Sequence, residues 1–247
     1  MKCLILAAGY ATRLRPLTDN FPKPLLKVGG KAILDWLVDD VRESGKVDGF
    51  IVVTNHRFAP VFEEWASGRG EDIVVVDDMT STNETRLGAV RDIDYALEAL
   101  GVDDDLLVLA GDNLLDFSLS SFIGYALGKG TACVMRYRET DPARLSRCGV
   151  LEVDGSDLVL GMEEKPAEPK SEWCCPPFYF YPRKDVPLIA EGIGSGCGTD
   201  APGSLVAWMC GRVPVHAMVM PGRRYDIGTL ESYNAVCETF PNIDKNK

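Results

Sequence analysis

The chain has 247 residues and a mass of 27.0 kDa, which suits one large domain or two small ones. Its composition, 46% hydrophobic and 26% charged, is ordinary for a globular protein and excludes disordered, collagen-like and coiled-coil chains. The 37 acidic residues outnumber the 26 Lys and Arg residues, so the net charge is −11. Because so acidic a chain has no general attraction for nucleic acid or anionic membranes, a phosphate ligand would need a few placed cations or a metal.

The eight cysteines form no CxxC pair and show no zinc-binding spacing, so we interpret them as reduced thiols of a cytoplasmic protein. The apolar N-terminal segment is too short for a signal peptide, and Arg13 and Arg15 follow it at once. No apolar stretch approaches the ~20 residues that span a bilayer. The sequence therefore predicts a cytoplasmic protein without nucleic-acid or membrane partners, and it leaves the formation of a homo-oligomer open.

Short apolar segments alternate with helical patterns in the first part of the chain, which is typical of a mostly parallel sheet with helices on both faces. The apolar segments predict strands at 2–7, 50–54, 72–76 and 105–110. Apolar residues at helical spacing predict helices at 31–44, 57–67 and 86–100.

Beyond residue 115 the alternation loosens, although the same patterns predict further elements. Strands are predicted at 131–137, 149–153, 157–162, 178–181 and 213–219, and helices near 183–191, 202–210 and 229–240. Glycine and proline cluster at 192–203, which predicts a surface loop. We therefore expect one α/β domain, residues 1–247, with a Rossmann-like, mixed and mostly parallel sheet. Residues 1–115 would be its nucleotide-binding half and residues 116–247 its acceptor half.

The segment after the first predicted strand is suited to binding phosphate. Gly9, at the carboxyl end of that strand, lets backbone N–H groups approach an anion at the sheet edge where ligands usually bind. Arg13 and Lys23 supply two cations that can face a triphosphate. Pro22 and Pro24 flank Lys23, and we expect them to hold it in extended backbone. The segment contains neither the Walker pattern G-x-x-x-x-G-K-[ST] nor G-x-G-x-x-G.

The run LAAGYATRLRPLT at 6–18, followed by FPKPLL at 21–26, resembles the signature of the sugar-1-phosphate nucleotidylyltransferases. The family pattern is approximately L-A-A-G-x-G-T-R-L-x-P-L-T with a later P-K, and its second glycine is Ala11 in this chain. Because alanine tolerates positive φ less well than glycine, we expect the loop to run slightly differently. The resemblance implies the nucleotide-diphospho-sugar transferase fold. It also implies roles for five residues of the loop: nucleotide binding by Ala8, Gly9 and Thr12, and catalysis by Arg13 and Lys23.

Two aspartates in motifs far apart along the chain continue the resemblance. Asp112 stands in the GDN triplet that follows the strand predicted at 105–110, and Asp226 begins the element D-I-G-T. The resemblance implies that both are ligands of a Mg²⁺ cofactor. Mg²⁺ prefers oxygen ligands and is usually held by one or two carboxylates together with substrate phosphates. Taken singly, Asp112 is also typical of a strand-end turn, and Asp226 of the N-cap of the helix predicted near 229.

The EEKP element at 163–166 resembles one found in thymidylyltransferase-like members of the family. The resemblance implies that Lys165 contacts the phosphate of the acceptor and that Glu164 contacts its sugar hydroxyls. Gly149 resembles the family glycine whose strand lies against the sugar. An isolated EEKP would be an ordinary charged turn, but its place between GDN and D-I-G-T favours a role in binding.

The base-recognition segment is the weakest match, because the family's glutamine and G-L-A-like turn are replaced here by TNETRLGA at 82–89. Asn83 would hydrogen-bond a pyrimidine edge, and Gly88 would let the base approach the start of a helix. The main interpretation is an enzyme that joins a nucleoside triphosphate to a sugar-1-phosphate. One alternative is a cytidylyltransferase for phosphocholine, a polyol phosphate or a phosphonate, which EEKP disfavours. The other is a nucleotide-sugar sensor without catalysis, which the presence of Lys23 and both aspartates disfavours.

Overall fold

The structure, a computed structural model, describes residues 1–70 and 72–240. The chain forms two compact units, and neither is a continuous stretch of sequence. Unit 1 comprises Met1–Lys2, Leu87–Leu109 and Phe122–Met220, whereas unit 2 comprises Cys3–Arg86, Ala110–Ser121 and the residues from Pro221 on. Within the two described ranges, no helix has the length and apolar character needed to cross a membrane.

Strands and helices alternate along the first part of the described chain, and short strands dominate the later part. In chain order the strands are β1 (Lys2–Leu6), β2 (Lys27–Val28), β3 (Lys31–Ala32), β4 (Gly49–Thr54), β5 (Ile73–Asp77), β6 (Leu106–Ala110), β7 (Asn113–Leu115), β8 (Ala132–Arg138), β9 (Gly149–Val153), β10 (Val159–Glu164), β11 (Trp173–Cys175), β12 (Phe178–Tyr181), β13 (Val215–Val219) and β14 (Arg224–Asp226). The α-helices are α1 (Ile33–Glu43), α2 (Ala59–Ser67), α3 (Ala89–Leu100), α4 (Ser120–Lys129), α5 (Pro142–Leu145), α6 (Leu188–Gly194), α7 (Gly203–Met209) and α8 (Leu230–Thr239).

The central strands of unit 2 are β1, from Cys3 on, then β4 and β5, side by side in that order. β4 and β5 pair in parallel, with Phe50 opposite Ile73. Every residue of β4 is buried, as expected for a parallel strand covered on both faces. α2 packs on β4 and β5, and the buried face of α1 carries Ile33, Leu34, Leu37, Val38 and Val41 at helical spacing.

A two-stranded antiparallel ribbon in unit 2 consists of β7 and β14, with Asn113 opposite Asp226 and Leu115 opposite Arg224. Beneath it lies an apolar cluster to which the loop after β1, the ribbon and α8 all contribute. Its buried members are Leu14, Leu26, Val28, Ile33, Leu114, Ile227, Val236 and Phe240. Segments from both ends of the chain therefore share one core.

The strands of unit 1 follow the order β10-β9-β11-β8-β12-β6, with β13 beside β8. β13 runs parallel to β8, whereas β12 is antiparallel to both β6 and β8, so the predicted mixed sheet is confirmed. β9 and β10, two of the predicted strands, form an antiparallel hairpin in which Asp154 Oδ1 accepts hydrogen bonds from the N–H groups of Ser156 and Leu158 at 2.8 and 3.0 Å. α7 packs on β10, and α6 packs on α3 and α7.

Departures from the predicted elements have local causes. The helix predicted near 183–191 is divided into a 3-10 turn, Arg183–Asp185, and α6, because Pro187 has no N–H with which to continue the turn. The predicted loop at 192–203 is shorter, since α6 ends at Gly194 and α7 begins at Gly203. β7 and β14 have three residues each and are too short to show an alternating pattern. α4 was not predicted.

The cap of α8 generates a test of local stability. Thr229 is its N-cap, and the Thr229 hydroxyl accepts a hydrogen bond from the N–H of Ser232 at 3.2 Å. We expect Thr229→Ala to lower the free energy of unfolding by about 1 kcal/mol in urea, and Thr229→Ser to preserve it. Thr239→Ala removes an exposed hydroxyl at the other end of the same helix and should change stability by less than about 0.5 kcal/mol. Equal losses at the two ends would contradict the capping role.

Candidate functional site

The loop after β1 reverses its direction at Ala11, which lies in the left-handed region at φ 45° and ψ 43°. The alanine therefore adopts the conformation that glycine takes at no steric cost, and the hydroxyl of Thr18 donates to its carbonyl oxygen at 2.9 Å. Thr12 and Arg13 follow in a 3-10 turn, Thr12–Leu14, and the side chains of both are exposed. The Arg13 guanidinium is thus presented to solvent, where an anionic ligand can reach it.

A buried amide anchors the start of this loop. The Asn55 side chain, at the end of β4, donates from Nδ2 to the carbonyl oxygen of Ala8 at 3.0 Å. Its Oδ1 accepts from the N–H of Phe58 at 3.2 Å, so the same amide also organises the turn that leads into α2. Ala8 is buried and Gly9 is exposed, and among the described residues outside 8–10 no atom lies within 4 Å of the position that a Cβ at Gly9 would occupy. The loop is therefore anchored at Ala8, whereas its backbone at Gly9 remains accessible to a ligand.

Lys23 and Asp112 form an ion pair in which the lysine is buried and the aspartate is partly exposed. Lys23 Nζ lies 2.7 Å from Asp112 Oδ2, and the side chains are 9% and 37% exposed. The expected extended backbone at Lys23 is wrong, because Lys23 begins the 3-10 turn Lys23–Leu25. Pro24 is compatible with that turn, since the first positions of a helix need no N–H donor. The pair joins the cation predicted to bind phosphate to the carboxylate predicted to bind the metal.

The β7–β14 ribbon brings the two motif aspartates to neighbouring positions. Asp226 lies opposite Asn113, the residue after Asp112, and its side chain is 59% exposed. The interpretation of Asp226 as the cap of the last helix is wrong, because Thr229 fills that position. Gly111 precedes Asp112 at a close approach, since a Cβ there would lie 3.0 Å from Ile5 Cγ2.

Two carboxylates are an acceptable protein contribution to a Mg²⁺ site. Among residues 1–70 and 72–240, no group of three or more His, Cys, Asp or Glu side chains is placed to hold a metal ion. Mg²⁺ commonly takes only one or two carboxylates and completes its octahedron with substrate oxygens and water. The donor set of Asp112 and Asp226, hard oxygens reachable from solvent, fits that ion.

Glu164 is the half-buried carboxylate of the acceptor motif, and two glycines make room for it. A Cβ at Gly149 would lie 3.0 Å from Glu164 Oε2, and a Cβ at Gly203 would clash with the same oxygen. Burial raises the pKa of the Glu164 carboxyl, and the neighbouring Lys165 partly offsets this effect. The sequence does not single out Gly203 as a functional residue, because its only distinguishing feature is its place in a Gly- and Pro-rich stretch.

Lys165 occupies a strained position at the end of the hairpin. Its φ is 49°, in the left-handed region that non-glycine residues rarely adopt, and its N–H donates to the carbonyl oxygen of Cys148 at 2.9 Å. The side chain is exposed. Backbone strain of this kind is often found at functional sites, where the surrounding structure enforces it.

Gly88 and Asn83, the residues predicted to meet the base, have different surroundings. Gly88 is the N-cap residue of α3 at φ 93°, and a Cβ there would lie 2.6 Å from the carbonyl oxygen of Thr199. The carbonyl oxygens of Thr199 and Asp200 also accept hydrogen bonds from the first N–H groups of α3. Asn83 is exposed in a turn, and its carbonyl oxygen accepts from Arg86 at 2.9 Å. Backbone packing alone therefore requires glycine at position 88.

The candidate residues are distributed over both units. Unit 1 contains Gly88, Gly149, Glu164 and Lys165, whereas unit 2 contains Ala8, Gly9, Thr12, Arg13, Lys23, Asn83, Asp112 and Asp226. Within unit 2 the structure brings Lys23, Asp112 and Asp226 together, and within unit 1 it brings Gly149 and Glu164 together. The sequence did not identify Asn113 and Arg224 as candidates. These two side chains form a hydrogen bond with each other next to Asp112 and Asp226.

Comparison with known proteins agrees with these motifs. A family model described as nucleotidyl transferase matches residues 2–242. A glucose-1-phosphate thymidylyltransferase of Streptomyces antibioticus is 32% identical and aligns over 78% of this chain and 51% of its own length. A UTP–glucose-1-phosphate uridylyltransferase of Synechocystis sp. is 26% identical and aligns over 94% of this chain and 61% of its own. The chain thus spans less than two thirds of these curated relatives.

The solved structure of apo UDP-glucose pyrophosphorylase superposes with a TM-score of 0.80 at 20% identity, and the alignment covers 97% of each chain. At this level of identity the likeness concerns the fold. It confirms the predicted α/β fold of the nucleotide-diphospho-sugar transferase type.

The close approach at Gly88 generates a stability prediction. We expect Gly88→Ala to lower the free energy of unfolding by about 3 kcal/mol, because the new methyl meets a carbonyl oxygen and φ is unfavourable. Gly101→Ala, at the other end of α3, faces open space at φ 60° and should cost only about 1 kcal/mol. Chemical denaturation of both variants checks the difference, and similar losses would mean that the contact with Thr199 is unimportant.

Proposed function

The chain belongs to the nucleotidyl transferase family, and from this we propose that it joins a nucleoside triphosphate to a sugar-1-phosphate, giving a nucleotide sugar and pyrophosphate. The observation that carries the proposal is the arrangement in unit 2, where Lys23 pairs with Asp112 and the ribbon register sets Asp226 beside it. A cation and two carboxylates next to an exposed glycine loop suit a triphosphate bound with a metal ion.

In this proposal the loop after β1 binds the triphosphate. The backbone at Ala8, Gly9 and Thr12 faces the phosphates, and Arg13 and Lys23 hold the phosphates that leave as pyrophosphate. Both cations would oppose the charge that develops on the leaving group, which is how positioned charges lower a barrier. Asn83 and the backbone at Gly88 would contact the base, whose identity the residues leave open.

We propose Mg²⁺ as the cofactor, with Asp112 and Asp226 as its protein ligands. When bound, the ion would neutralise phosphate charge and help to orient both substrates. Asp112 would still have lone pairs available, because a carboxylate has about four acceptor positions and hydrogen bonds from Lys23 and Asn113 use only two.

On the acceptor side, we propose that Lys165 binds the phosphate of the sugar-1-phosphate and that Glu164 and the backbone at Gly149 contact the sugar. In the part of the chain that the structure describes, no group donates a hydrogen bond to the Glu164 carboxylate, so its oxygens remain available to hydroxyl donors. The glycines at 149 and 203 leave room for it on two sides.

The chemistry requires no covalent intermediate. An acceptor phosphate oxygen, already ionised at neutral pH, attacks the α-phosphorus of the triphosphate. A new phosphorus–oxygen bond forms, the bond between the α-phosphorus and the bridging oxygen breaks, and pyrophosphate leaves with that electron pair. The protein's contribution is to align the two substrates and to offset their charge. We also propose that the protein acts in the cytoplasm, since no disulfide joins its eight cysteines.

The experiment that tests the function is a pyrophosphate-release assay with Mg²⁺. It crosses dTTP, UTP, CTP and GTP with glucose-1-phosphate, other sugar-1-phosphates and phosphocholine. Release with a sugar-1-phosphate supports the proposal and identifies the base. Release only with CTP and a non-sugar phosphate would instead identify a cytidylyltransferase, and nucleotide-sugar binding without turnover would identify a sensor.

The two aspartates allow a direct prediction. We expect Asp112→Ala and Asp226→Ala each to lower kcat by at least about 100-fold, because each removes a carboxylate on which charge neutralisation depends. Thermal unfolding and circular dichroism of both variants check that the fold survives. Glu231→Ala, an exposed carboxylate in the first turn of α8, is the control and should retain activity. Retained turnover in both aspartate variants would contradict the metal assignment.

Gly203 generates a prediction about the acceptor alone. Gly203→Ala should push the flexible ends of Glu164 and Met162 aside at little cost to stability, because both clashing atoms, Glu164 Oε2 and Met162 Cε, are the ends of side chains. We expect the KM for the acceptor to rise about tenfold, with the KM for the triphosphate unchanged. Gly161→Ala, on the same strand as Glu164 but facing open space, is the matched control. Equal changes in both KM values would mean that Glu164 does not act on the acceptor.

A further inference from the structure

We propose that Asn113 and Arg224 are positioning residues that orient the Asp112 carboxylate for metal binding beside Asp226, without touching the metal. This inference rests on the proposed function, because it concerns the same two aspartates. It goes beyond that function by assigning a role to two residues that lie between them, and all four belong to unit 2.

Asn113 is fully buried, and both the oxygen and the nitrogen of its side-chain amide form hydrogen bonds. Its Oδ1 accepts a hydrogen bond from Arg224 Nη1 at 2.7 Å, and its Nδ2 donates to Asp112 Oδ1 at 2.9 Å and to the carbonyl oxygen of Ala110 at 3.1 Å. The orientation of the amide is unambiguous. A flipped amide would set its NH₂ against a guanidinium and its oxygen against a carboxylate and a carbonyl, so every one of these hydrogen bonds would be lost.

This fixed amide determines how Asp112 presents its carboxylate. Asn113 holds Oδ1 and Lys23 holds Oδ2, so the carboxylate plane is defined by donors at both oxygens. A half-exposed aspartate without such donors would sample several rotamers, and a bound ion would have to select one. Partners that orient ligating groups in this way commonly change metal affinity by 10- to 100-fold when they are removed.

Arg224 extends the arrangement to the second aspartate. Arg224 and Asp226 stand two residues apart on β14 and therefore share a face of the ribbon, with Asn113 directly opposite Asp226. Arg224 Nη1 lies 3.7 Å from Asp226 Oδ1, a distance too long for a hydrogen bond. The arginine is 20% exposed and bonds to the amide, so it borders Asp226 without occupying its lone pairs.

A charge argument alone predicts the opposite effect of Arg224. A guanidinium beside a metal ligand repels a divalent cation, so removing it should tighten metal binding. If Arg224 instead positions Asp112 through Asn113, removing it should weaken binding. The sign of the change therefore separates the two roles.

The test is Mn²⁺ binding to the full chain without nucleotide, measured from the electron paramagnetic resonance signal of free Mn²⁺. Mn²⁺ shares the preference of Mg²⁺ for oxygen ligands. We expect Asp112→Asn and Asp226→Asn to abolish binding at this site and Arg224→Met to weaken it about tenfold. Arg224→Lys, which keeps a donor for Asn113 Oδ1, should restore affinity to within about threefold of the wild type.

Two further variants keep the proposal open to refutation. Arg223→Met removes the same charge from the exposed neighbour, whose backbone N–H donates to Asp116 at 2.6 Å, and should leave affinity within about threefold. If Arg224 acts through the amide, Arg224→Met should weaken binding no further in an Asn113→Ala background. Circular dichroism and thermal unfolding establish that each variant is folded.

The outcomes distinguish failure of the positioning role from failure of the proposed function on which it rests. Unchanged or tighter Mn²⁺ binding in Arg224→Met overturns the positioning role and leaves the metal site intact. Additive losses in the double variant overturn the route through Asn113. A wild-type chain that binds no Mn²⁺ overturns the metal site and the positioning role together.

Discussion

The ion pair between Lys23 and Asp112 is the interaction on which the arrangement of unit 2 depends. With its side chain only 9% exposed, the Lys23 ammonium has given up most of its hydration and needs a partner charge. Removing Asp112 would leave the buried ammonium poorly compensated, which costs more than the net value of the pair. The loop that carries Lys23 and the turn that carries Asp112 must therefore assemble together.

Packing beneath this pair explains how motifs far apart in the sequence become neighbours. Leu14 comes from the loop after β1, Leu114 from β7 and Ile227 from the residue after Asp226, and all three are buried in one cluster. Tyr225 and Trp36 close the cluster by edge-on contacts with Phe240, at ring-centroid distances of 5.5 Å. Since a close-packed core resists displacement, the charged groups above it are held on a rigid base.

The strong hydrophobic patterns predicted the fold class and most strands and helices. In β4 and α1, for example, the apolar residues of the sequence are the residues that the fold buries. The loop and GDN motifs identified candidate residues without indicating their partners. The pairing of β7 with β14 depends on register between two three-residue strands, which leaves no periodic signal. For the same reason Asn113 and Arg224 could not be singled out, and the clash that excludes a side chain at Gly203 exists only after folding.

Each unit has a residue of a candidate functional motif in left-handed backbone. Ala11 in unit 2 and Lys165 in unit 1 both have left-handed φ values, 45° and 49°, which cost an L-residue about 1–2 kcal/mol. At Ala11 the Thr18 hydroxyl stabilises the turn, and at Lys165 the hydrogen bond to Cys148 does so. A glycine would relieve the strain at either place but would widen the range of conformations the chain can adopt. Non-glycine residues in these turns therefore give up some stability for a narrower set of loop conformations, which suits groups that must meet phosphate in a defined geometry.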